Sequence, residues 1–123
     1  MNVNVGKYSV IIERNLVVPM RDGTILRADV WRPDSDDQFP VLIERTPYDK
    51  TGSSESNLAA GEFYASYGYV VIIQDVRGRF ASNGEFYPFR DDADGEHQDG
   101  FDTVEWAAEQ PWSNGKIGTL GGS

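Results

Sequence analysis

The sequence of 123 residues predicts a single domain of the α/β class with a largely parallel sheet. From Val41 onward, segments with strand patterns alternate with segments that suit helices. The stretch Tyr69–Ile73 is apolar on both faces and rich in β-branched residues, which is typical of a central parallel strand covered by helices. A hydrophobic fraction of 39% with 12% aromatic residues indicates a packed core rather than a disordered chain.

Two antiparallel strands are expected at the start of the chain. Residues Lys7–Val18 alternate roughly between apolar and polar, which predicts an edge strand. The stretch Arg21–Thr24 contains Asp-Gly, a strong short-range signal for a hairpin turn. The second strand is predicted to be half-buried and to end at Arg32-Pro33. Its two faces alternate, with Leu26, Ala28 and Val30 on one side and Arg27, Asp29 and Trp31 on the other.

The middle of the chain predicts a strand, a helix and a second strand. The first strand runs from Val41 to about Arg45. The helix runs from about Leu58 to Tyr67, with Gly68 at its C-terminal cap. The central strand Tyr69–Ile73 then follows directly, so this segment has the β-α-β order of a parallel pair.

The last part of the chain predicts one more helix and one more strand. The segment Phe101–Gln110 fits an amphipathic helix, with Asp99 as its candidate N-cap. The positions expected to face inward are Phe101, Val104, Trp106 and Ala108. Pro111 ends the helix, and Lys116–Leu120 is expected to be a short buried strand after a turn at Trp112–Gly115.

Three stretches follow the carboxyl ends of the predicted parallel strands, where open α/β sheets place their chemistry. They are Thr46–Lys50, Gln74–Gly78 and Gly121–Ser123. The last stretch has the first three positions of Gly-x-Ser-x-Gly, the strand-to-helix turn on which α/β-hydrolases carry a nucleophilic serine. Ser123 is therefore a candidate nucleophile, although a serine hydroxyl needs a general base and a flexible terminal serine is the alternative.

Other residues suggest chemistry less strongly. From the residues alone, Tyr48 suits a turn whose ring packs on the sheet, and Asp49 suits a turn or helix cap. His97 precedes Ser123, whereas α/β-hydrolases have the order serine, acid, histidine, so it is expected to be a solvated loop residue. Asp75 and Arg77 are expected to form a structural pair that shapes the strand-end loop.

Composition disfavours some classes of function and excludes others. The net charge of −9 disfavours nucleic acid and anionic membrane surfaces, because both require basic patches. The absence of cysteine excludes disulfides and thiolate chemistry. It fits the cytoplasm, which is the predicted location, although it leaves the compartment open. No signal peptide is expected, and the longest apolar run is far too short to span a membrane.

A bound metal is not expected either. The acidic residues between Asp91 and Asp102 do not match the spacing of a calcium-binding EF-hand loop with either Gly95 or Gly100 at its sixth position. They are better interpreted as a solvated charged run, in which Asp99 and Asp102 also suit the positive end of a helix dipole. Asn114-Gly115-Lys116 resembles the end of a phosphate-binding loop only superficially, because Ile117 follows where Ser or Thr is required.

The order of elements and motifs resembles the X-Pro dipeptidyl-peptidase/cocaine-esterase family of serine hydrolases, which includes the α-amino acid ester hydrolases and glutaryl acylases. The matching stretches span nearly the whole chain in the right order. They are Val18–Gly23 leading to Trp31–Pro33, Arg45–Lys50, Gln74–Gly78 with Ser82-x-Gly84-Glu85-Phe86, Asp99–Trp106, and Trp112–Gly118 into Gly121–Ser123.

The resemblance implies an α/β-hydrolase core that acts on esters or amides through an acyl-enzyme, without a metal or organic cofactor. It implies that Ser123 is the nucleophile and that the Tyr48 hydroxyl contributes to the oxyanion hole. In the α-amino ester hydrolase branch, an aspartate at the position of Asp49 helps to bind the substrate's ammonium group. The acid and histidine of the triad normally lie far downstream. Residues 1–123 are thus expected to be the N-terminal part of a catalytic domain, truncated at its nucleophile and inactive alone.

A second hypothesis belongs to another class of function. The chain could be a catalytically inactive product that acts as a binding or assembly module, or a remnant. Its last strand would then present an unpaired apolar edge, and such edges favour self-association.

Overall fold

In the computed structural model of the chain, the described residues are 7–46, 61–76, 82 and 99–119. They form a five-stranded sheet with the strand order β1-β2-β4-β3-β5 and a helix on each face. The strands are β1 (Val10–Pro19), β2 (Ile25–Pro33), β3 (Phe39–Thr46), β4 (Val70–Asp75) and β5 (Ser113–Thr119). Helix α1 includes residues 61–66, and helix α2 is Asp99–Ala108.

The sheet is mixed, with an antiparallel and a parallel half. Strand β1 pairs antiparallel with β2, and β2 pairs antiparallel with β4. Strand β3 lies parallel to both β4 and β5. The predicted order is therefore confirmed, with β1 at one end of the sheet as expected and the parallel strands alternating with α1 and α2.

The predicted hairpin between β1 and β2 is also confirmed. The backbone N–H of Gly23 donates to the carbonyl of Met20 over 2.9 Å, and the N–H of Met20 donates to the carbonyl of Thr24 over 2.8 Å. Gly23 has a φ of 86°, a conformation that glycine adopts without the steric cost of a β-carbon. The Asp-Gly signal thus predicted the turn correctly.

Alternate residues of β4 build two hydrophobic cores, one on each face of the sheet. Val70 and Ile72 belong to the larger core, which Ala107 of α2 covers. Val71 and Ile73 belong to a smaller core with Ala65 of α1. Every residue of β4 is buried, so the prediction of a central strand with two apolar faces is confirmed.

The prediction that β2 is half-buried is wrong. Its residues Ala28 to Trp31 are all buried, including both Asp29 and Trp31 on the face predicted to be more polar. Trp31 packs in the smaller core with Ala65 of α1, and Asp29 is neutralised by Arg14 of β1. Helix α1 therefore covers a face that the alternating pattern had assigned to solvent.

Helix α1 ends where the sequence predicted. The N–H of Gly68 donates to the carbonyl of Ala65, and the N–H of Tyr69 donates to the carbonyl of Tyr64, both over 3.1 Å. These are the two bonds of a Schellman motif, with Gly68 at a φ of 98°. The start predicted for this helix, near Leu58, lies outside the described residues.

Helix α2 is present but rotated and shifted relative to the prediction. It begins at Asp99 and ends at Ala108, and its buried residues are Asp99, Thr103 and Ala107. Val104 and Trp106 do pack against the larger core. Phe101, predicted to face inward, is 55% exposed because the inward arc is centred on Thr103, a polar residue that the hydrophobic pattern did not count.

Strand β5 is longer and more exposed than predicted. It begins at Ser113 rather than Lys116, and among its described residues only Ser113 is buried. The strand lies at the end of the described sheet, so a neighbouring strand covers it on one side only. The expectation of a buried final strand is therefore wrong for the residues up to Thr119.

Candidate active site

The carboxyl ends of the three parallel strands lie at one edge of the sheet. Thr46 of β3 is in register with Asp75 of β4, and Ile43 of β3 is in register with Thr119 of β5. The strands that precede the three stretches singled out by the sequence therefore end at a common edge of the sheet. We call it the carboxyl edge. In open α/β sheets this edge carries the ligand site.

The three predicted site residues follow this edge in sequence but lie outside the described residues. Tyr48 and Asp49 come two and three residues after Thr46, the last residue of β3. Ser123 comes four residues after Thr119, the last residue of β5. His97 and Arg77 are also outside the described residues, so the expected Asp75–Arg77 pair stays a prediction.

A buried polar cluster joins β3, β4 and α2 at the carboxyl edge. Nε of Arg45 donates to Oε1 of Gln74 over 2.6 Å. The hydroxyl of Thr103 lies 3.1 Å from the same Oε1 and 2.8 Å from the carbonyl of Asp99, and its single proton can serve one acceptor at a time. Gln74 and Thr103 are fully buried. The cluster thus ties the ends of two parallel strands to the first turns of α2.

Ser82 connects β2 to the end of β4. Its hydroxyl donates to the carbonyl of Asp75 over 2.6 Å and accepts the backbone N–H of Arg27 over 2.8 Å. The pairing of β2 with β4 ends at Ala28 and Gln74, so Ser82 bridges the two strands just beyond their ladder. A buried hydroxyl with both a donor and an acceptor partner holds the carboxyl edge together at this point.

A third polar contact holds the hairpin turn against α2. Arg21 donates from Nη2 to Oδ1 of Asp102 over 2.7 Å, and the Arg21 backbone N–H donates to Oδ2 over 3.0 Å. The hydrogen bond from Arg21 lowers the pKa of Asp102, and the same bond raises the pKa of Arg21. Phe101 adds its ring, whose centroid lies 5.9 Å from the guanidinium carbon of Arg21.

Sequence reasoning did not assign the polar contacts that hold this edge together. Gln74 carried a signal, because it is a polar residue at the end of an otherwise apolar central strand. Ser82 and Thr103 lie in stretches that carry the family resemblance, but neither was assigned a contact, since a serine in a turn and a threonine in a helix are ordinarily solvated. Their importance depends on which strand lies beside which, and that is set by the tertiary fold.

The described residues contain neither a membrane-spanning helix nor a candidate metal-binding cluster. No helix among them is long and apolar enough to cross a membrane. Within 7–46, 61–76, 82 and 99–119, His, Asp and Glu side chains do not come together in groups of three that could hold a metal ion.

Comparison with known families decides the assignment. The model of the X-Pro dipeptidyl-peptidase (S15) family matches residues 22–123, which is most of the chain and includes all three predicted site residues. The chain belongs to the S15 family. The resemblance inferred from its motifs is thereby confirmed.

Individual relatives and solved structures agree with this assignment. The chain is 46% identical over 118 residues to cocaine esterase from a Rhodococcus species, covering 94% of this chain and 20% of that enzyme. A CocE/NonD family hydrolase from Staphylococcus aureus superposes with a TM-score of 0.79 at 32% identity, covering 91% of this chain and 23% of the other. An α-amino acid ester hydrolase superposes with a TM-score of 0.73 at 28% identity, covering 94% and 21%.

The S15 chain therefore has the α/β-hydrolase type of fold, as predicted, and its family is one of hydrolases. It spans about a fifth of the length of the curated relative. The mixed sheet with three parallel strands is the scaffold on which that fold places its nucleophile.

Proposed function

We propose that this chain is part of a serine hydrolase that cleaves an ester or amide through an acyl-enzyme on Ser123. The observation that carries the proposal is the parallel register of β3 with β4 and β5. Because of it, the strands that precede Tyr48 and Ser123 in the sequence both end at the carboxyl edge. The Gly-Gly-Ser sequence after β5 has the motif expected of a nucleophile at that position.

In this proposal each site residue has one role. The Ser123 hydroxyl attacks the substrate carbonyl, its proton passes to the triad histidine, and the resulting tetrahedral oxyanion collapses to an acyl-enzyme as the leaving group departs with a proton. The Tyr48 hydroxyl donates a hydrogen bond to the oxyanion. Water then releases the acid by the same steps. The triad acid and histidine would come from the protein beyond residue 123.

Asp49 bears on the class of substrate. A carboxylate beside the oxyanion hole would attract a substrate with a free α-amino group, because the two opposite charges meet in a partly desolvated site. We propose this pairing because one structural relative is an α-amino acid ester hydrolase. Asp49→Asn should then raise KM for aminoacyl esters while leaving the KM for a neutral ester unchanged. Equal effects on the two substrates would contradict the pairing.

The experiment that tests the proposal uses the full-length protein that contains this chain. A fluorophosphonate probe should label it, and peptide mass mapping should place the label on Ser123. Ser123→Ala should lower kcat for a p-nitrophenyl ester by at least about 1,000-fold, because removing the nucleophile of a serine hydrolase abolishes nearly all catalysis. Tyr48→Phe should lower kcat by about 100- to 1,000-fold, the usual effect of losing an oxyanion donor.

Ser66→Ala is the matched control for the Ser123 variant. Ser66 lies on α1, and its hydroxyl donates to the carbonyl of Phe63 rather than facing the carboxyl edge. The control should therefore retain the label and the rate of the unchanged protein. A label on another residue, or hydrolysis by Ser123→Ala at the original rate, would refute the nucleophile assignment.

A second candidate function rests on the position of β5. Among the described strands it pairs with β3 only, so its other edge has no described partner. We propose that a native product of 123 residues would act as an assembly module through the side of β5 that faces away from β3. Asn114, Lys116 and Thr119 are exposed and polar, so backbone groups rather than apolar side chains would carry the association. Sedimentation of the 123-residue chain tests this, since a monomer at all concentrations would exclude it.

A further inference from the structure

Gln74 is a fully buried polar side chain that the proposed chemistry does not use. It lies in β4 next to the last residue of the strand, on the face that α2 covers. Its Oε1 accepts from Arg45, which stands directly opposite it in the parallel register of β3 and β4. Arg45 in turn precedes Thr46, the last residue of β3.

We propose that Gln74 is a positioning residue for the site at the carboxyl edge. Its amide holds the end of β3 against β4 and α2, and so sets the point from which the segment with Tyr48 leaves the sheet. The inference rests on the proposed function, because it assigns to this segment the task of stabilising the oxyanion. An oxyanion donor must be placed accurately, and a displacement of about 1 Å can lower a rate by about 100-fold.

The acceptor half of the amide accounts for the positioning. Arg45 can only donate, so its short contact identifies the near atom of Gln74 as the carbonyl oxygen. The hydroxyl of Thr103 approaches the same oxygen from α2. One oxygen is therefore contacted by the guanidinium of Arg45 from the neighbouring strand and by the hydroxyl of Thr103 from the covering helix. This arrangement resists sliding of β3 along β4 as well as lifting of α2 from the sheet.

The donor half of the amide separates glutamine from glutamate. Nε2 of Gln74 is buried and has no hydrogen-bond partner among the described residues. Gln74→Glu would keep an acceptor for Arg45 and Thr103 while it removes this donor. Gln74→Met would remove the acceptor as well, with little change in side-chain length. The difference between the two variants therefore reports on the acceptor, because both lack the donor and only Gln74→Glu keeps an acceptor.

The first measurement is hydrogen exchange followed by mass spectrometry on the full-length protein. In Gln74→Met we expect exchange in a peptide covering 41–50 to be at least about tenfold faster, because local opening at the end of β3 becomes easier. A peptide covering β1 should exchange at its original rate. Gln74→Glu should restore protection of 41–50. A uniform increase in both peptides, or no increase in 41–50, would overturn the proposal.

The second measurement is hydrolysis of a p-nitrophenyl ester by the same variants. Gln74→Met should lower kcat by about tenfold or more with little change in KM, because the displaced donor acts mainly in the transition state. Gln74→Glu should recover most of that loss. If Gln74→Met does not fold, Arg45→Met provides the comparison, since it removes the donor to Oε1 of Gln74.

The two measurements also separate this inference from the proposed function. If Ser123→Ala keeps full activity, the nucleophile is elsewhere and the proposed function fails, whatever the exchange results. If Ser123→Ala is inactive but Gln74→Met has normal kcat and normal exchange in 41–50, only the positioning role of Gln74 fails.

Discussion

Asp29 illustrates how a single buried charge shapes its strand. Its Oδ2 accepts from Nη1 of Arg14 over 3.0 Å, and its Oδ1 accepts the backbone N–H of Asn15 over 2.9 Å. Asn15 has a φ of 55°, and the pairing of β1 with β2 shifts register between Glu13 and Leu16. The carboxylate thus satisfies a backbone group that the bulge would otherwise leave unpaired. Alternation alone could not predict this burial, because the partner comes from another strand.

The ring of Trp31 packs closely against Gly61. A β-carbon at this position would lie 2.4, 2.6 and 2.7 Å from three ring atoms of Trp31. Trp31 is itself only 1% exposed in the smaller core and cannot move away without displacing α1 or β2. The contact explains why a glycine stands at this position of α1, although glycine is a weak helix former.

Gly61→Ala should therefore destabilise the protein by about 1–3 kcal/mol, the usual cost of overfilling a packed core. Chemical denaturation measured by tryptophan fluorescence tests this. Glu62→Ala, at the exposed position next to it, is the control and should change stability by less than about 0.5 kcal/mol. An increase in stability for Gly61→Ala, as helix propensity alone would give, would mean that the ring does not occupy that space.

At the scale of elements, α2 is attached to the hairpin through charge. Arg21 lies in the turn between β1 and β2, and Asp102 lies in the first turn of α2. The two residues are separated by 81 positions in the sequence, so their contact depends on the completed fold. Asp102 also interacts favourably with the positive end of the helix dipole.

This pair predicts a pH-dependent contribution to stability. The pKa of Asp102 is lowered in the folded protein, chiefly by the hydrogen bond from Arg21. The pair therefore stabilises the fold fully above the pKa that aspartate has in the unfolded chain. This stabilisation is lost as the pH falls through the lowered folded-state pKa. Arg21→Met should lower Tm by a few degrees at neutral pH, and the difference should shrink in strong acid.

Arg27→Gln provides the control for this prediction. Arg27 also lies in the hairpin and donates to the carbonyl of Asn15, but within the described part of the chain it forms no salt bridge with a carboxylate. Its effect on Tm should stay constant over the same acidic range. If the Arg21→Met difference is also independent of pH, or grows in acid, the Arg21–Asp102 pair does not stabilise the fold in the way proposed.

The elements differ in how well the sequence predicted them, and each case has a physical reason. The hairpin and the end of α1 depend on local glycine geometry, and both were predicted correctly. The inward face of α2 depends on Thr103, whose hydroxyl is satisfied only by groups within the fold. The exposure of β5 depends on its place in the sheet, which local patterns do not encode.

For the whole molecule, strand order decides what the carboxyl edge contains. The sequence correctly predicted that the ends of β3, β4 and β5 would share one edge, because alternating strands and helices imply parallel pairing. It did not predict that β2 would lie beside β4, which brings Arg27 to Ser82 and the hairpin turn to α2. The candidate nucleophile could be found from its motif, whereas its supporting contacts required the tertiary structure.

Because β4 contributes to both cores, the two faces of the sheet should unfold as one unit. Ile72 is fully buried in the core beneath α2, and Ile73 is 1% exposed in the core beneath α1. Ile72→Val and Ile73→Val should each destabilise by about 0.5–1.5 kcal/mol, since each removes one buried methylene. Hydrogen exchange in α1 and α2 should respond to both variants, whichever face carries the change.

Ile12→Val is the matched control, because it removes the same group from a residue of β1 that is 37% exposed. It should cost clearly less than either substitution in β4, since a partly solvated methylene gains less from folding. If Ile72→Val speeds exchange only in α2 and Ile73→Val only in α1, the layers open independently. The sheet would then not couple them, and β4 would separate two cores instead of uniting them.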